Sequence, residues 1–418
     1  MMNDVPKLMV LSTGLPGSRH GGGVVQDEVL RRYPRDRYVC VATRGLEGSR
    51  PGGDRPESLK GVPCLVCPVV PQMRTRGARF YLPVLRAVGL RGLARVRVRQ
   101  VVRFGRRHGV ELVWAELQRE AVAMAQAVAK GLGVPFVGTV WDDPVGWLAD
   151  GAYDGPSRKL LQGRFRSALQ AADRLTTAGE AMQEYYRREH GVESIILRHG
   201  FERPAATRTE QADGGQVTIG FAGSVYGRDA WQAFFAAAAR LSASGRCPPV
   251  HLHAFGGASP PQAPAGVTVE HRGWQPADQM LREIARTDFC YLPYWFEEGK
   301  RRHVELSFPN KFETYLAAGR PVLYHGPRYA GIARAVRDWK VGLSVHSVQH
   351  EEIASALERM AHDARLRASF ASAAFAAFHR EFNARVMVER FAELIGVAPA
   401  LLDGAGREET QPLVKAAV

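Results

Sequence analysis

Acidic residues are missing from one long stretch of this 418-residue chain. No Asp or Glu occurs between Ser58 and Val110, where the sequence instead places eleven arginines. The whole chain has 56 Lys and Arg against 42 Asp and Glu. A positive field of this kind favours anionic partners but does not determine the fold. The arginine window, as we call these residues, consists of Arg74, Arg76, Arg79, Arg86, Arg91, Arg95, Arg97, Arg99, Arg103, Arg106 and Arg107.

Long apolar runs and paired cysteines are missing as well. No run approaches the roughly 18 apolar residues of a transmembrane helix, and the segment before Ser12 lacks the basic region of a signal peptide. Five cysteines, an odd number in a long chain, indicate a reducing cytoplasm. Cys64 and Cys67 have no second pair that could complete a zinc site, which favours a structural role. We therefore expect a cytoplasmic protein.

Predicted strands and helices alternate along both halves, which is typical of α/β domains with parallel sheets. At about 150 residues per domain, a chain of this length predicts two or three domains. The segment from Arg203 to Gly215 is polar and rich in small residues, as linkers are. We predict a first domain at residues 1–202, a second at 203–382, a terminal helix at 383–403 and a loose tail at 404–418.

The most informative stretch runs from Glu305 to Pro327. It predicts a helix that begins near Pro309 and ends at Gly319, followed by a short buried strand. A helix N-terminus carries free N–H groups and a partial positive charge, and Lys311 lies in the first turn of this one. The stretch therefore predicts a pocket for a nucleotide or a sugar phosphate.

Two strand ends in the first half carry further candidates. The strand from Lys7 to Ser12 leads into a glycine-rich turn with Gly22 and Gly23, where the backbone can approach a phosphate closely. A tight turn without a ligand is the alternative. A second strand ends before Asp142 and Asp143, at the edge where open α/β sheets bind ligands. Here the alternative is a turn with a helix cap.

The stretch from Glu305 to Pro327 resembles the nucleotide-sugar-binding segment of GT-B glycosyltransferases of the retaining, family-4-like kind. The match includes Asn310, Lys311, the run Tyr315 to Gly319, Pro321 and Val322. The resemblance implies a GT-B fold of two Rossmann-like domains that face each other across a cleft. It also implies a carboxylate that binds the donor ribose. Counted back from Gly319, Thr314 occupies that place, whereas the spacing from Glu305 selects Glu313. Both remain candidates, and we favour Glu313 because a carboxylate accepts from two hydroxyls.

The same resemblance assigns the remaining candidate residues. It implies that Arg228, after the first strand of the second domain, binds the donor diphosphate together with Lys311. It implies that Gly273 lies beside the nucleobase and that the terminal helix packs back on the first domain. The segment from Ala171 to Phe201 resembles the one that closes the family's first domain. The complete set is Asp142 and Glu305 as catalytic residues, with Gly22, Gly23, Arg228, Gly273, Lys311, Glu313 and Thr314 on the donor.

The implied activity is transfer of a sugar from a nucleotide sugar to an acceptor hydroxyl, in polysaccharide, glycolipid or glycoconjugate synthesis. No metal and no cofactor are expected, because positive charge can stabilise the leaving diphosphate. Two alternatives remain: a non-catalytic GT-B-fold protein that binds anionic surfaces, and a GT-B-fold sugar-nucleotide epimerase.

The segment from Pro83 to His108 predicts one long helix or two short ones that carry most of the arginine window. It is either a solvated basic helix or an amphipathic surface that lies on anionic lipid. The second interpretation places the protein on the inner face of the cell membrane, with a sugar or a lipid-linked molecule as acceptor. Nucleic acid is not expected, because the window has few aromatic residues for base stacking.

Overall fold

The computed structural model describes residues 4–17, 21–44, 57–69, 78–151, 153–202, 204 and 215–403. The chain divides into two compact units: Met1–Leu197 with Met387–Val418, and Arg198–Val386. The predicted tail at 404–418, almost all of the predicted linker, Arg74 and Arg76 lie outside the described residues. The domain limits proposed above, at 202, 382 and 403, remain predictions beside this division.

The first unit contains a parallel sheet of seven strands in the order β3-β2-β1-β4-β5-β6-β7. All residues of the four central strands are buried, as expected when helices cover both faces of a parallel sheet. The strands are β1 (Leu8–Ser12), β2 (Tyr38–Ala42), β3 (Cys64–Val66), β4 (Leu112–Glu116), β5 (Phe136–Val140), β6 (Arg174–Thr177) and β7 (Ile195–Ile196). The helices are α1 (Gly21–Leu30), α2 (Ala78–Val88), α3 (Ala94–Arg107), α4 (Arg119–Val122), α5 (Ala125–Leu132), α6 (Pro144–Asp150), α7 (Gly155–Ala171) and α8 (Glu180–His190).

The second unit contains a parallel sheet of six strands in the order β10-β9-β8-β11-β12-β13. Its strands are β8 (Val217–Ala222), β9 (Val250–Phe255), β10 (Val267–Gly273), β11 (Phe289–Pro293), β12 (Val322–His325) and β13 (Gly342–Val345). Its helices are α9 (Arg228–Ala243), α10 (Ala277–Ile284), α11 (Arg301–Leu306), α12 (Asn310–Ala317), α13 (Gly331–Asp338), α14 (His350–His362) and α15 (Ala364–Ala377). The predicted α/β class with parallel sheets is confirmed in both units.

The end of the chain contributes to the core of the first unit. A π-helical segment, Phe378–Phe382, precedes α16 (Ala384–Ile395), which is followed by α17 (Ala400–Asp403). Within the first unit, Phe391 of α16 packs against Trp114 with ring centroids 4.8 Å apart and against Tyr33 at 6.3 Å. Met387, Val388, Leu394 and Ile395 are buried in the same cluster.

One local prediction is corrected by the structure. In the first unit, α1 already begins at Gly21. Gly22 and Gly23 therefore belong to the first turn of a helix rather than to the loop before it.

The long basic helix is confirmed, and it begins earlier than predicted. Helices α2 and α3 are joined by a π-helical segment, Gly89–Leu93, so helical backbone continues from Ala78 to Arg107. No helix among the described residues is both long and apolar enough to cross a membrane.

The glycines at the two ends of α9 provide a matched test of how the loop before this helix is packed. Both have a left-handed backbone, with φ of 67° at Gly227 and 72° at Gly245. A Cβ on Gly227 would lie 2.5 Å from the carbonyl oxygen of Tyr294, whereas a Cβ on Gly245 meets nothing within 4 Å. We expect Gly245→Ala to cost about 1–2 kcal/mol from the backbone alone. Gly227→Ala should lower the Tm of the full chain clearly more, and equal Tm losses would contradict this packing.

Candidate functional site

The order of the second sheet reverses between β8 and β11. Strands β9 and β10 extend the sheet on one side of this pair, and β12 and β13 extend it on the other. In such sheets, ligands bind in the crevice outside the carboxyl ends of the strands at the reversal. The loop from Gly223 to Gly227, here called the β8 loop, leaves β8 at this point, and Tyr294 and Trp295 follow β11.

Lys311 supports the β8 loop from α12. Its Nζ donates a hydrogen bond of 2.7 Å to the carbonyl oxygen of Ser224. The ammonium also lies 3.8 Å from the ring centroid of Tyr226 and 4.4 Å from that of Phe221. Only 7% of Lys311 is exposed, and burial lowers the pKa of its ammonium well below the usual range. A buried cation with one carbonyl partner is stabilised further when an anion binds beside it.

Aromatic rings pack against the β8 loop, and these contacts were not among the predictions from the sequence. Tyr226 stacks on Trp295 with centroids 4.3 Å apart and an interplanar angle of 20°, and it meets Tyr294 edge-on at 5.5 Å. The contact joins the residues that follow β8 and β11. Aromatic residues just beyond two predicted strand ends are the signal that could have pointed to them.

Arg228 is exposed at the first position of α9, where the N–H groups of the helix are free. It forms no ion pair within the described part of the chain. Asp229 follows it in the first turn. Exposure and the helix terminus together leave the Arg228 guanidinium available to an anionic ligand.

Gly273 lies close to the β8 loop through a chain of backbone contacts. Its carbonyl oxygen accepts a 2.9 Å hydrogen bond from the N–H of Gly256. A Cβ on Gly256 would in turn lie 2.5 Å from the carbonyl oxygen of Gly223. The structure thus brings the ends of β8, β9 and β10 together, and Trp274, next to Gly273, is exposed.

Glu313 lies in the interior of the second unit and is 2% exposed. It accepts a hydrogen bond from the backbone N–H of His199, and the Arg198 guanidinium attracts its carboxylate. Burial nevertheless raises the pKa of Glu313 from 4.5 to about 8. Its Oε2 has no hydrogen-bond partner in the described residues. Glu313 is therefore largely protonated at neutral pH.

Arg198 is a second buried group that the sequence analysis did not identify. Its guanidinium lies 3.9 Å from the ring centroid of Phe308, with Trp339 and Phe382 at 5.6 and 5.7 Å. It also pairs with Glu381 at 3.4 Å. The faces of these aromatic rings replace most of the water around the guanidinium.

Thr314 and Glu305 have surroundings that differ from those of Glu313. Thr314 is three residues from Lys311 on α12, so the two share a helix face, whereas Glu313 points away from that face. The hydroxyl of Thr314 donates to the carbonyl oxygen of Asn310 at 3.2 Å. Glu305 ends a different helix, is 38% exposed in its side chain and accepts from Arg301 at 3.0 Å.

The candidates of the first unit lie at the end of its central strands. Asp142 follows β5, is partly buried and accepts a long 3.4 Å hydrogen bond from Gln118. Asp143 caps α6 through Val145 N–H at 3.0 Å and accepts from the hydroxyl of Tyr186 at 3.0 Å. The alternative of a helix cap is confirmed for Asp143. Gly22 packs so closely on Trp141 that a Cβ would lie 2.4 Å from the indole ring.

Two family models match successive parts of the chain. Residues 20–196 match the glycosyl transferase 4-like domain, and residues 216–363 match glycosyl transferases group 1. The comparison with curated proteins found no match.

Solved structures show the same fold at low sequence identity. HepE from Anabaena in complex with UDP-glucose is 15% identical, with a TM-score of 0.61 over 93% of this chain and 98% of that one. Sucrose-phosphate synthase from Thermosynechococcus elongatus is 13% identical, with a TM-score of 0.65 over 93% and 97%. The trehalose 6-phosphate synthase from Burkholderia multivorans is 13% identical, with a TM-score of 0.60 over 95% and 98%.

The raised pKa of Glu313 makes folding stability depend on pH. The folded carboxyl keeps its proton up to about pH 8, whereas the unfolded one releases it near 4.5. Within that range the folded state binds more protons, so stability falls as the pH rises. We expect Glu313→Gln to gain Tm relative to the wild type between about pH 5 and about pH 9. The more exposed Glu305→Gln is the control, and a Tm difference for Glu313→Gln that does not change with pH would contradict this account.

Proposed function

The chain belongs to the GT-B glycosyltransferases, which use nucleotide sugars, and we propose that it transfers a hexosyl group with retention of its anomeric configuration. The acceptor is a hydroxyl of a sugar or of a lipid-linked molecule in polysaccharide, glycolipid or glycoconjugate synthesis. The observation that carries the proposal is the Lys311–Ser224 hydrogen bond under the β8 loop, at the point where the second sheet reverses. It places a buried cation and the exposed Arg228 around one loop.

The chemistry of the proposal depends on charge at the leaving group. When the bond to the sugar breaks, negative charge develops on the nucleoside diphosphate. The Arg228 guanidinium, the free N–H groups of α9 and the buried Lys311 ammonium all stabilise that charge. In this proposal the charge is balanced without a catalytic metal or a cofactor. The acceptor hydroxyl attacks from the face that the diphosphate leaves and gives its proton to the departing phosphate oxygen, so the configuration is retained without a covalent intermediate on the protein.

Two carboxylates are proposed as catalytic residues. Asp142 has one long hydrogen bond, from Gln118, and therefore keeps acceptor capacity for a substrate hydroxyl. Glu305 is partly exposed at the end of α11 and can accept from hydroxyls of the donor sugar while Arg301 holds it in place. Gly22 and Gly23 in the first turn of α1 are proposed to approach the donor through their backbone, and Gly273 to lie beside the nucleobase.

The donor ribose is assigned here to Thr314 rather than Glu313, which the sequence had favoured. Thr314 lies on the helix face of Lys311, which contacts the β8 loop, whereas Glu313 faces Arg198 and His199. Glu313 then has a structural role. A neutral hydroxyl offers one acceptor oxygen in place of the two charged oxygens of a carboxylate, so we expect a weaker ribose contact than a Glu would give.

Nucleotide affinity tests these assignments directly. Charge-assisted hydrogen bonds contribute about 1.5–3 kcal/mol, so Arg228→Ala and Lys311→Ala should each weaken binding of a nucleoside diphosphate at least about tenfold. Thr314→Val should weaken it less, and Glu313→Gln should leave it unchanged. The measurement is calorimetry with whichever of UDP, GDP, ADP and dTDP raises the Tm of the wild type most.

Arg240→Ala is the matched control, because Arg240 is an exposed arginine in the last turn of the same helix. Unchanged affinity in both cation variants would refute the diphosphate assignment. Loss of nucleotide affinity in Glu313→Gln but not in Thr314→Val would assign the ribose contact to Glu313 instead. Turnover of the matching nucleotide sugar with and without an acceptor separates transfer from epimerisation and from binding alone.

We also propose that the protein binds its acceptor at a membrane surface. Helix α2 exposes Tyr81, Val84 and Val88 at spacings of three and four residues, with exposures of 67%, 63% and 63%. On α3, Arg95, Arg99 and Arg103 are exposed, and Val96 is 57% exposed. Apolar side chains followed by unopposed arginines match the surface of a bilayer that contains anionic lipid.

Vesicle co-sedimentation measures this property. Each exposed arginine near an anionic surface contributes about 1 kcal/mol, an attraction that fades with salt. We expect binding to anionic vesicles, loss with neutral ones and clear weakening when Arg95, Arg99 and Arg103 are all changed to Glu. The triple change of Lys159, Arg164 and Arg166 to Glu on α7 alters the net charge equally and should keep binding. Equal weakening in both triple variants would mean that only net charge matters and would contradict a specific surface.

A further inference from the structure

We propose that His251, His253 and Glu270 form a binding site for a divalent transition metal, on the two outer strands β9 and β10 of the second sheet. Two imidazoles and one carboxylate suit zinc and similar ions, which take nitrogen and oxygen ligands together. The site is separate from the proposed catalytic charge of Arg228 and Lys311 and does not depend on it.

Strand geometry brings the three ligands together. His251 and His253 alternate with Val250 and Leu252 along β9, so both imidazoles project from the same face of the sheet. Glu270 on β10 is the direct partner of His253 in the register of the two strands. The ligands therefore come from regular backbone whose positions are fixed by neighbouring strand hydrogen bonds.

The distances fit a tetrahedral ion. The Nε2 atoms of His251 and His253 each lie 3.7 Å from Oε2 of Glu270. The potential ligand atoms all lie within 4.8 Å of one another, and the two rings are 4.6 Å apart at 88°. Metal–ligand distances of about 2.0–2.2 Å in a tetrahedron put ligand atoms about 3.3–3.6 Å apart. Small side-chain rotations are enough to close the site, and partial exposure leaves room for water as a fourth ligand.

Arg272 competes with a metal for Glu270, and it has a second partner. Its Nη2 donates to Oε2 of Glu270 at 2.9 Å, while its Nη1 donates to Glu283. When Glu270 turns to a metal, Arg272 keeps the ion pair with Glu283. Binding is therefore an exchange of one ion pair for a metal ligand, and the guanidinium lowers the affinity of the site without blocking it.

A metal at this site would link the edge strand β10 to its neighbour β9. Strand β10 has a described neighbour on one side, β9, and its register with β9 shifts between His271 and Gly273. A metal that joins His251 and His253 to Glu270 links the two strands just before this irregularity. We therefore expect metal binding to raise the stability of the second unit.

Cobalt titration of the metal-free full chain tests the proposal, because four-coordinate cobalt absorbs visible light strongly. We expect one equivalent of Co²⁺ to bind with this absorption, zinc to displace it and zinc to raise the Tm. His251→Ala, His253→Ala and Glu270→Gln should each weaken binding at least about tenfold, as losses around metal sites do. Arg272→Gln should have the opposite effect and tighten binding, because it removes the cation that competes for Glu270.

His271→Ala is the matched control. His271 is next to Glu270 on β10, but it projects from the opposite face and its ring contacts the carbonyl oxygen of Gly256. The His271→Ala variant should bind cobalt like the wild type, and circular dichroism should be used to check that each variant is folded. Absence of the four-coordinate absorption, or equal affinity in wild type, His253→Ala and Glu270→Gln, would overturn the proposal.

Discussion

The candidate site of the second unit is organised around one buried amino group. Lys311 lies under the β8 loop with the carbonyl of Ser224 as its hydrogen-bond partner and two aromatic rings beside it. An isolated buried charge is costly, and one carbonyl with two ring faces offsets only part of that cost. Burial therefore favours the neutral amine of Lys311, and negative charge bound beside the β8 loop would favour the ammonium instead. In the function proposed above, the nucleoside diphosphate of the donor supplies this negative charge.

A second buried charge lies on the opposite side of α12. Arg198 is surrounded by Phe308, Trp339 and Phe382, and it faces Glu381 and the raised-pKa carboxyl of Glu313. The helix thus separates two kinds of polar contact by its two faces: Lys311 contacts the β8 loop, and Glu313 faces Arg198 and His199. Two neighbouring residues, Glu313 and Thr314, acquire different surroundings because they differ by about 100° around the helix axis.

Local patterns explain which parts of this fold could be predicted from the sequence. The alternation of strands and helices and the end of α12 at Gly319, with φ of 63°, depend on residues close in sequence. The stacking of Tyr226 on Trp295 depends on β8 and β11 being neighbours, which no local pattern contains. Likewise, the sequence could not show that Glu313 would face Arg198, because their contact forms only when the whole unit is assembled. The start of α11 also has a local signal, because Glu298, Arg301 and Glu305 carry the spacing of helical ion pairs.

The return of α16 to the first unit has a consequence for how the chain folds as it is made. The core around Trp114 and Tyr33 needs Phe391, which is added after all residues of the second unit. The second unit is continuous in sequence and can complete its core while the chain is still growing. In the first unit, the apolar face that Phe391 covers stays exposed until synthesis is nearly finished. Chains that stop before Ala384 would then keep that face exposed, so premature termination produces a species prone to association or degradation.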